Sequence, residues 1–256
     1  MAEGFLLTAI TGLLWAGMGV LMSHVSRRQE EIVSFSFTSG LFSLLVAWLI
    51  FPRYGLLLED WPPPQTAALS AAMIPAGIAA NLGALYMLKA MQRGHNGVVW
   101  SICQSALAVP FVCGVLLWGC NCAWWNWLGA ASIVGALFCL GQARPEKDGS
   151  ADAGGWLALS ILSMLLLGGE QTLKSIPSLW EGFSDRYGLR IPLANLGVFA
   201  LLLFLGKTGY SLPDRRGVCL ALARALSGLP GQWTLFLALD SMSQCGLGAA
   251  VFPLAI

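Results

Sequence analysis

Charge is what this sequence has least of. Only 11% of its 256 residues are Asp, Glu, Lys or Arg, against roughly 25% in a soluble domain. The charges that remain nearly cancel, at a net +1, so nothing favours nucleic acid or a polybasic lipid-binding face. Histidine is almost missing: His24 and His95 each fall at a helix end near water. An interfacial His is the plain reading of both, pH sensing the rival one, and they do not form a metal-binding pair. No HExxH, GxSxG, phosphate loop or pair of in-membrane acids occurs, and these absences count against a membrane-embedded enzyme. Alternating strands are lacking too. Runs such as Ala194 to Leu205 do not alternate, which excludes a β-barrel. The first apolar run has no basic flank and flows into a full-length span, so a cleaved signal peptide is not expected.

What is present is apolar. Hydrophobic residues make up 57% of the chain, with 11 Trp and 30 Gly, and the mean hydropathy is +0.71. That composition belongs to an all-α polytopic membrane protein. The seven cysteines are an odd number, and Cys103, Cys113, Cys139, Cys219 and Cys245 lie inside apolar runs, where thiols act as small hydrophobes. Cys120 and Cys122 share a loop that has no histidine. Neither a metal nor a cofactor is expected.

Each crossing needs about 20 apolar residues. The runs divide into Phe5 to Val25, Ile32 to Phe51, Thr66 to Met91, Gly97 to Trp118, Trp124 to Leu140, Gly155 to Ser175, Ile191 to Leu205 and Gly217 to Leu239. A ninth begins near Gly246 and stops at Ile256, about half of a ~30 Å hydrocarbon core at ~1.5 Å per residue. The sequence therefore reads as a fragment, or as truncated relative to its relatives. The odd-numbered loops hold Arg27, Arg28, Lys89, Arg93, Arg144, Lys147, Lys207, Arg215 and Arg216, the even ones Arg53, Arg186 and Arg190. The positive-inside rule then sets the odd loops in the cytoplasm.

The polar stretch 142–153 divides the chain near its middle and invites a search for a repeat. A shift of 152 lays Leu13 to Gly17 on Leu165 to Gly169, and a shift of about 150 lays Leu85-Tyr86-Met87 on Leu235-Phe236-Leu237. Both third-position helices carry breakers, Pro75, Gly77 and Gly83 in one and Gly228, Pro230 and Gly231 in the other. The division is thus a first repeat over 1–141, a linker over 142–153 and a second, incomplete repeat over 154–256. Five-helix halves predict an inverted repeat of ten spans, about nine of them in this sequence.

Polar groups at membrane depth mark pathways or helix–helix contacts. Glu170 and Lys174 share one helix face and can pair. A desolvated carboxyl holds its proton more tightly, which suits proton coupling; the rival reading has the helix end early, before Pro177, with both side chains snorkelling to the interface. Arg224, two turns into its span, offers a cation to an anionic solute or snorkels. Asp240, beside Ser241 and Ser243, reads as a solvated helix end. Asn81, Tyr86, Trp100 and Gln104 in the third and fourth spans, with Gln171, Trp15 and Trp233, are the candidate substrate pathway. Interhelical hydrogen bonding and packing compete for all of them.

Gly12 to Gly19 (GLLWAGMG), Leu85 to Met91 leading through Gly97 into Val98 to Pro110, and Leu235 to Pro253 together resemble the drug/metabolite transporter superfamily in its EamA-like ten-helix form. The family often places a Glu after the fourth helix, where this chain reads Trp118-Gly119-Cys120-Asn121. The resemblance implies a secondary transporter, not an enzyme, that moves a small organic solute by alternating access, with proton coupling as one drive. It also implies a multi-pass protein of the bacterial inner (plasma) membrane, in the orientation opposite to the one the loop charges favour. Small solute and lipid are the expected partners, and a homodimer is allowed. The turn Ser26 to Glu31 is similar to that of the rhamnose-type sugar–proton symporters, one alternative; an inactive, truncated membrane scaffold is another.

Overall fold

Hydrocarbon offers no hydrogen bonds, so a chain this apolar must close its own backbone bonds, and it does so as helices. The computed structural model describes residues 2–27, 31–51, 64–119, 155–180 and 187–243, with isolated helical positions between 124 and 139. The helices are α1 (Ala2–Arg27), α2 (Ile32–Ile50), α3 (Pro64–Arg93), α4 (Asn96–Gln104), α5 (Ala108–Trp118), α6 (Gly155–Ser175), α7 (Tyr187–Asn195), α8 (Leu202–Thr208) and α9 (Arg215–Ser243). Among the described residues there is no strand. Among the described residues six segments are long and apolar enough to cross a membrane: Glu3–Arg27, Ile32–Ile50, Thr66–Arg93, Asn96–Trp118, Gly155–Leu179 and Gly188–Thr208. The chain is an all-α integral membrane protein. Most of the expected fifth span, the linker 142–153 and the ninth run from Gly246 lie outside the described residues.

Proline writes the interruptions. Pro110 has no N–H, and its ring crowds the carbonyl four residues back; the chain there tightens into a 3-10 turn, Ser105–Leu107, between α4 and α5. Pro75, Pro192 and Pro230 lie inside α3, α7 and α9, and a second 3-10 stretch, Leu196–Leu201, follows α7. The seventh span begins at Tyr187, earlier than the apolar run alone indicates. Arg190 enters the helix because Asp240 and Ser178 receive it across the bundle.

Contacts fix the direction of each helix. At one end of the bundle, Asn96 at the start of α4 donates to Ser23 Oγ and Ser26 Oγ near the end of α1, at 2.9 Å each. Trp156, opening α6, packs on Gly94 after α3, and Glu31, before α2, bonds Ser211, before α9. At the other end Gly188 of α7 meets the Phe51 carbonyl after α2, and Ser178 after α6 donates to Asp240 near the end of α9. It follows that α6 runs opposite to α1, α7–α8 opposite to α2, and α9 opposite to α3.

The main helix pairs are α3 with α6, α1 with α9, α2 with α9, and α3 with α7 and its 3-10 extension. The tightest crossing is α3 over α7. A Cβ on Gly77 would sit 1.6 Å from the Ala194 carbonyl oxygen, and one on Gly197 would sit 2.0 Å from the Gly77 carbonyl carbon. Backbone meets backbone there, an approach that only glycine permits.

Candidate functional site

Five long helices and the α4–α5 segment each turn one stripe toward a common centre. Its period is helical: Trp15, Met18 and Met22 on α1; Gly77, Asn81, Ala84 and Met87 on α3; Leu167, Glu170, Gln171 and Lys174 on α6; Arg224, Gly228 and Gln232 on α9. Ser39 and Ser43 of α2, Trp100, Cys103 and Gln104 of α4, and Asn195 of α7 close the ring. The cavity between them measures about 150 Å³. Its lining residues fall near the midpoints of α1, α2, α3 and α9, so the space lies at mid-depth in the bundle.

Each polar wall residue has a defined state. Lys174 Nζ donates to Glu170 Oε1, and the pair is buried, the residues 2% and 5% exposed. The snorkelling alternative is thereby overturned: α6 continues to Ser175, and Pro177 begins a 3-10 turn instead of stopping the helix early. Asn81 and Asn195 each donate Nδ2 to the carbonyl one turn back, at 2.8 Å, and so keep their oxygens for other partners. Among the described residues, Gln171 Oε1 and Gln232 Oε1 are buried without a hydrogen-bond partner. Arg224 is half-buried, and among the described residues its guanidinium has no ion-pair or hydrogen-bond partner.

Of the ten residues named from sequence, Trp15, Asn81, Trp100, Gln104, Glu170, Gln171, Lys174 and Arg224 line this one cavity. Tyr86 and Trp233 do not. Tyr86 stands about 200° round α3 from Ala84 and meets Phe204 edge-on at 6.4 Å, with Lys89 Nζ 5.8 Å from its ring. Trp233 is about 100° past Gln232, 42% exposed and edge-on to Phe51 at 6.2 Å. Both rings belong to packing outside the cavity.

Asp240 is not a solvated helix end. It is 8% exposed and takes Arg190 at 2.9 Å and Ser178 at 2.6 Å on the same oxygen. Arg190, with no exposed surface, also lies 5.6 Å over the Phe236 ring. Sequence reading assigned Arg190 to a loop and missed this cluster. The available signal was an Arg only two residues before Pro192 in an apolar helix, together with one Asp in the last turn of another.

At the opposite end a wider space of about 800 Å³ is bordered by Ser23, Ser26, Arg27, Glu31, Lys89, Gln92, His95 and Asn96. Met22, Met87 and Trp100 in the cavity wall stand one helical turn from Ser26, Met91 and Asn96 in this vestibule wall. Among the described residues, no three His, Cys, Asp or Glu side chains gather as metal ligands. The chain matches no protein-family model and no curated protein.

Proposed function

We propose that the chain is a secondary transporter that carries a small organic solute across the membrane by alternating access. The observation that carries this reading is the polar, solute-sized cavity at mid-depth, with a vestibule beyond one wall and the buried Arg190–Asp240 pair, joined by Ser178, toward the other end. Polar groups cost several kcal/mol at membrane depth unless they face one another or a cavity. A bundle that gathers so many around one space has a use for it. On this reading a solute enters from the vestibule while the Arg190–Asp240 cluster holds the far side shut, and the cavity reopens when that cluster parts and the vestibule wall closes.

An inverted repeat supports the rocking motion. Exchanging α1 with α6, α2 with α7–α8, and α3 with α9 turns the α3–α6 pair into α9–α1. The same exchange turns the α2–α9 pair into α7–α3, and all four are main contacts of the bundle. The opposed directions of each exchanged helix fit the same symmetry. So does the ten-helix plan of the drug/metabolite transporters, with repeats over 1–141 and 154–256. Arg27, Lys89, Arg93, Lys207, Arg215 and Arg216 gather at the vestibule end, which favours the cytoplasm for it.

Glu170 is the proposed proton carrier, with Lys174 as the partner that takes its charge when the proton leaves. The test is solute-driven proton flux in proteoliposomes, wild type against Glu170→Gln. Flux that follows solute only when Glu170 is present supports the coupling; unchanged coupling in the variant removes Glu170 from that role. Absence of flux for every solute in the wild type removes the transport reading itself.

A further inference from the structure

The cavity wall is electrostatically incomplete, and the gap has a recognisable shape. Three charged side chains line it, and two of them, Glu170 and Lys174, satisfy each other. Asp240, the acid at the far end of α9, is held by Arg190. Arg224 is left without a counter-ion among the described residues, so the cavity carries one net positive charge. A guanidinium at this depth is stabilised by a carboxylate that takes two parallel N–H bonds, and no described side chain supplies one.

The remaining polar wall is rich in acceptors. Among the described residues Gln171 Oε1 and Gln232 Oε1 lie buried without donors, and unmet acceptors in a low-dielectric site carry a desolvation cost until a donor arrives. Arg224, Gly228 and Gln232 form an i, i+4, i+8 stripe on α9. Its middle member has no side chain, and a Cβ there would have only Met18 Sδ nearby, at 3.7 Å. Gly228 thus leaves room on the wall between the two side chains, whose Cα atoms stand about 12 Å apart along the axis, at ~1.5 Å per residue. The cavity's volume of about 150 Å³ equals that of a protein cavity that takes up one benzene molecule, hence a solute of about six heavy atoms.

We propose that the cavity binds a small monocarboxylate that also carries a hydroxyl or ammonium donor, its carboxylate on Arg224 and its donor on the Gln171 and Gln232 oxygens. The assignment rests on the transport reading only for its purpose, because binding is measurable without flux. The probes are radiolabelled L-lactate and L-alanine, applied to the purified full chain in lipid nanodiscs. Saturable binding of at least one is expected, with propionate (the carboxylate without the donor) at least tenfold weaker as competitor and glycerol not competing. Arg224→Gln should lose binding at least tenfold and Arg224→Lys should recover part of it, while Gln171→Leu should bring lactate down to the propionate level.

The proposal is overturned if neither probe binds wild-type protein that elutes as a single folded species. It is also overturned if glycerol competes as well as propionate, or if folded Arg224→Gln binds like the wild type. Binding without flux in proteoliposomes sinks the transport reading and leaves this one standing. Flux of a neutral solute that Arg224→Gln leaves unchanged does the reverse.

Discussion

A buried ion pair is most sensitive to the loss of one member. For Glu170 and Lys174, truncating either partner strands a charge at membrane depth, with an expected loss of about 3–5 kcal/mol. The double replacement Glu170→Gln, Lys174→Met should recover most of that, since a neutral wall leaves nothing uncompensated. A double-mutant cycle in SDS or thermal unfolding measures the difference; two additive losses would mean that the residues act separately. The partnership was readable from the i, i+4 spacing, but the choice between pairing and snorkelling was not. That choice depends on α6 continuing to Ser175 and on neighbours from other helices. Arg190 and Asp240 were harder still, because their 50-residue separation leaves no local pattern.

Glu31 gives a pH prediction outside the membrane spans. Ser211 Oγ, first, and Ser34 Oγ at 3.0 Å donate to its carboxylate and hold it below the ordinary glutamate value. A depressed value means stabilisation present above the unfolded-state value, about 4.3, and lost as pH falls through the folded-state value. Ser211 N also bonds Ser34 Oγ at 3.2 Å, and the Tyr210 and Thr38 hydroxyls meet at 3.1 Å, so the segment from Gly209 to Asp214 is docked on α2. Hydrogen exchange in that segment should quicken in Glu31→Gln at pH 7, and the gap from wild type should close below about pH 4. An equal gap at both pH values would contradict the role of the charge.

At the scale of the element, the α3–α7 crossing decides the architecture. Alanine at Gly77 or Gly197 would run into backbone, which cannot turn aside as a side chain can, so a loss of about 3 kcal/mol or more is expected. Gly17→Ala is the control: nothing lies within 4 Å of its Cβ position, and alanine there should stabilise the helix by about 0.5–1 kcal/mol. Equal melting temperatures for the three variants would argue against the crossing. Helix existence was legible in the sequence because apolar runs in hydrocarbon have one solution. Which face turns inward was legible only in part. The polar positions of α3, α6 and α9 point to their stripes, whereas Tyr86 and Trp233 show that an aromatic ring in a span carries no such information. A ring packs as well against a neighbouring helix as into a cavity.

At the scale of the whole molecule, the Arg190–Asp240–Ser178 cluster is the proposed latch. Arg190 and Asp240 are buried, and replacing either alone should destabilise, whereas Arg190→Gln with Asp240→Asn should leave a folded protein with a weaker far-side closure. The opposed directions of α6, α7–α8 and α9 relative to α1, α2 and α3 fit the inversion that the central linker and the breakers in α3 and α9 suggest, and the repeat itself belongs to the proposal. The cluster was invisible because it joins α7, α9 and the turn after α6 through residues far apart in the sequence.

Alternating access around the central cavity is most directly tested by sided thiol labelling. A cysteine-free variant with Ser43→Cys in the cavity wall would be treated, in sealed oriented vesicles, with a membrane-impermeant maleimide from each side in turn. The account predicts labelling from the vestibule side alone in the otherwise native protein. With Arg190→Gln and Asp240→Asn added, labelling should shift toward the opposite side. Labelling from neither side in both proteins, or from the vestibule side alone whether or not the latch is intact, would contradict it.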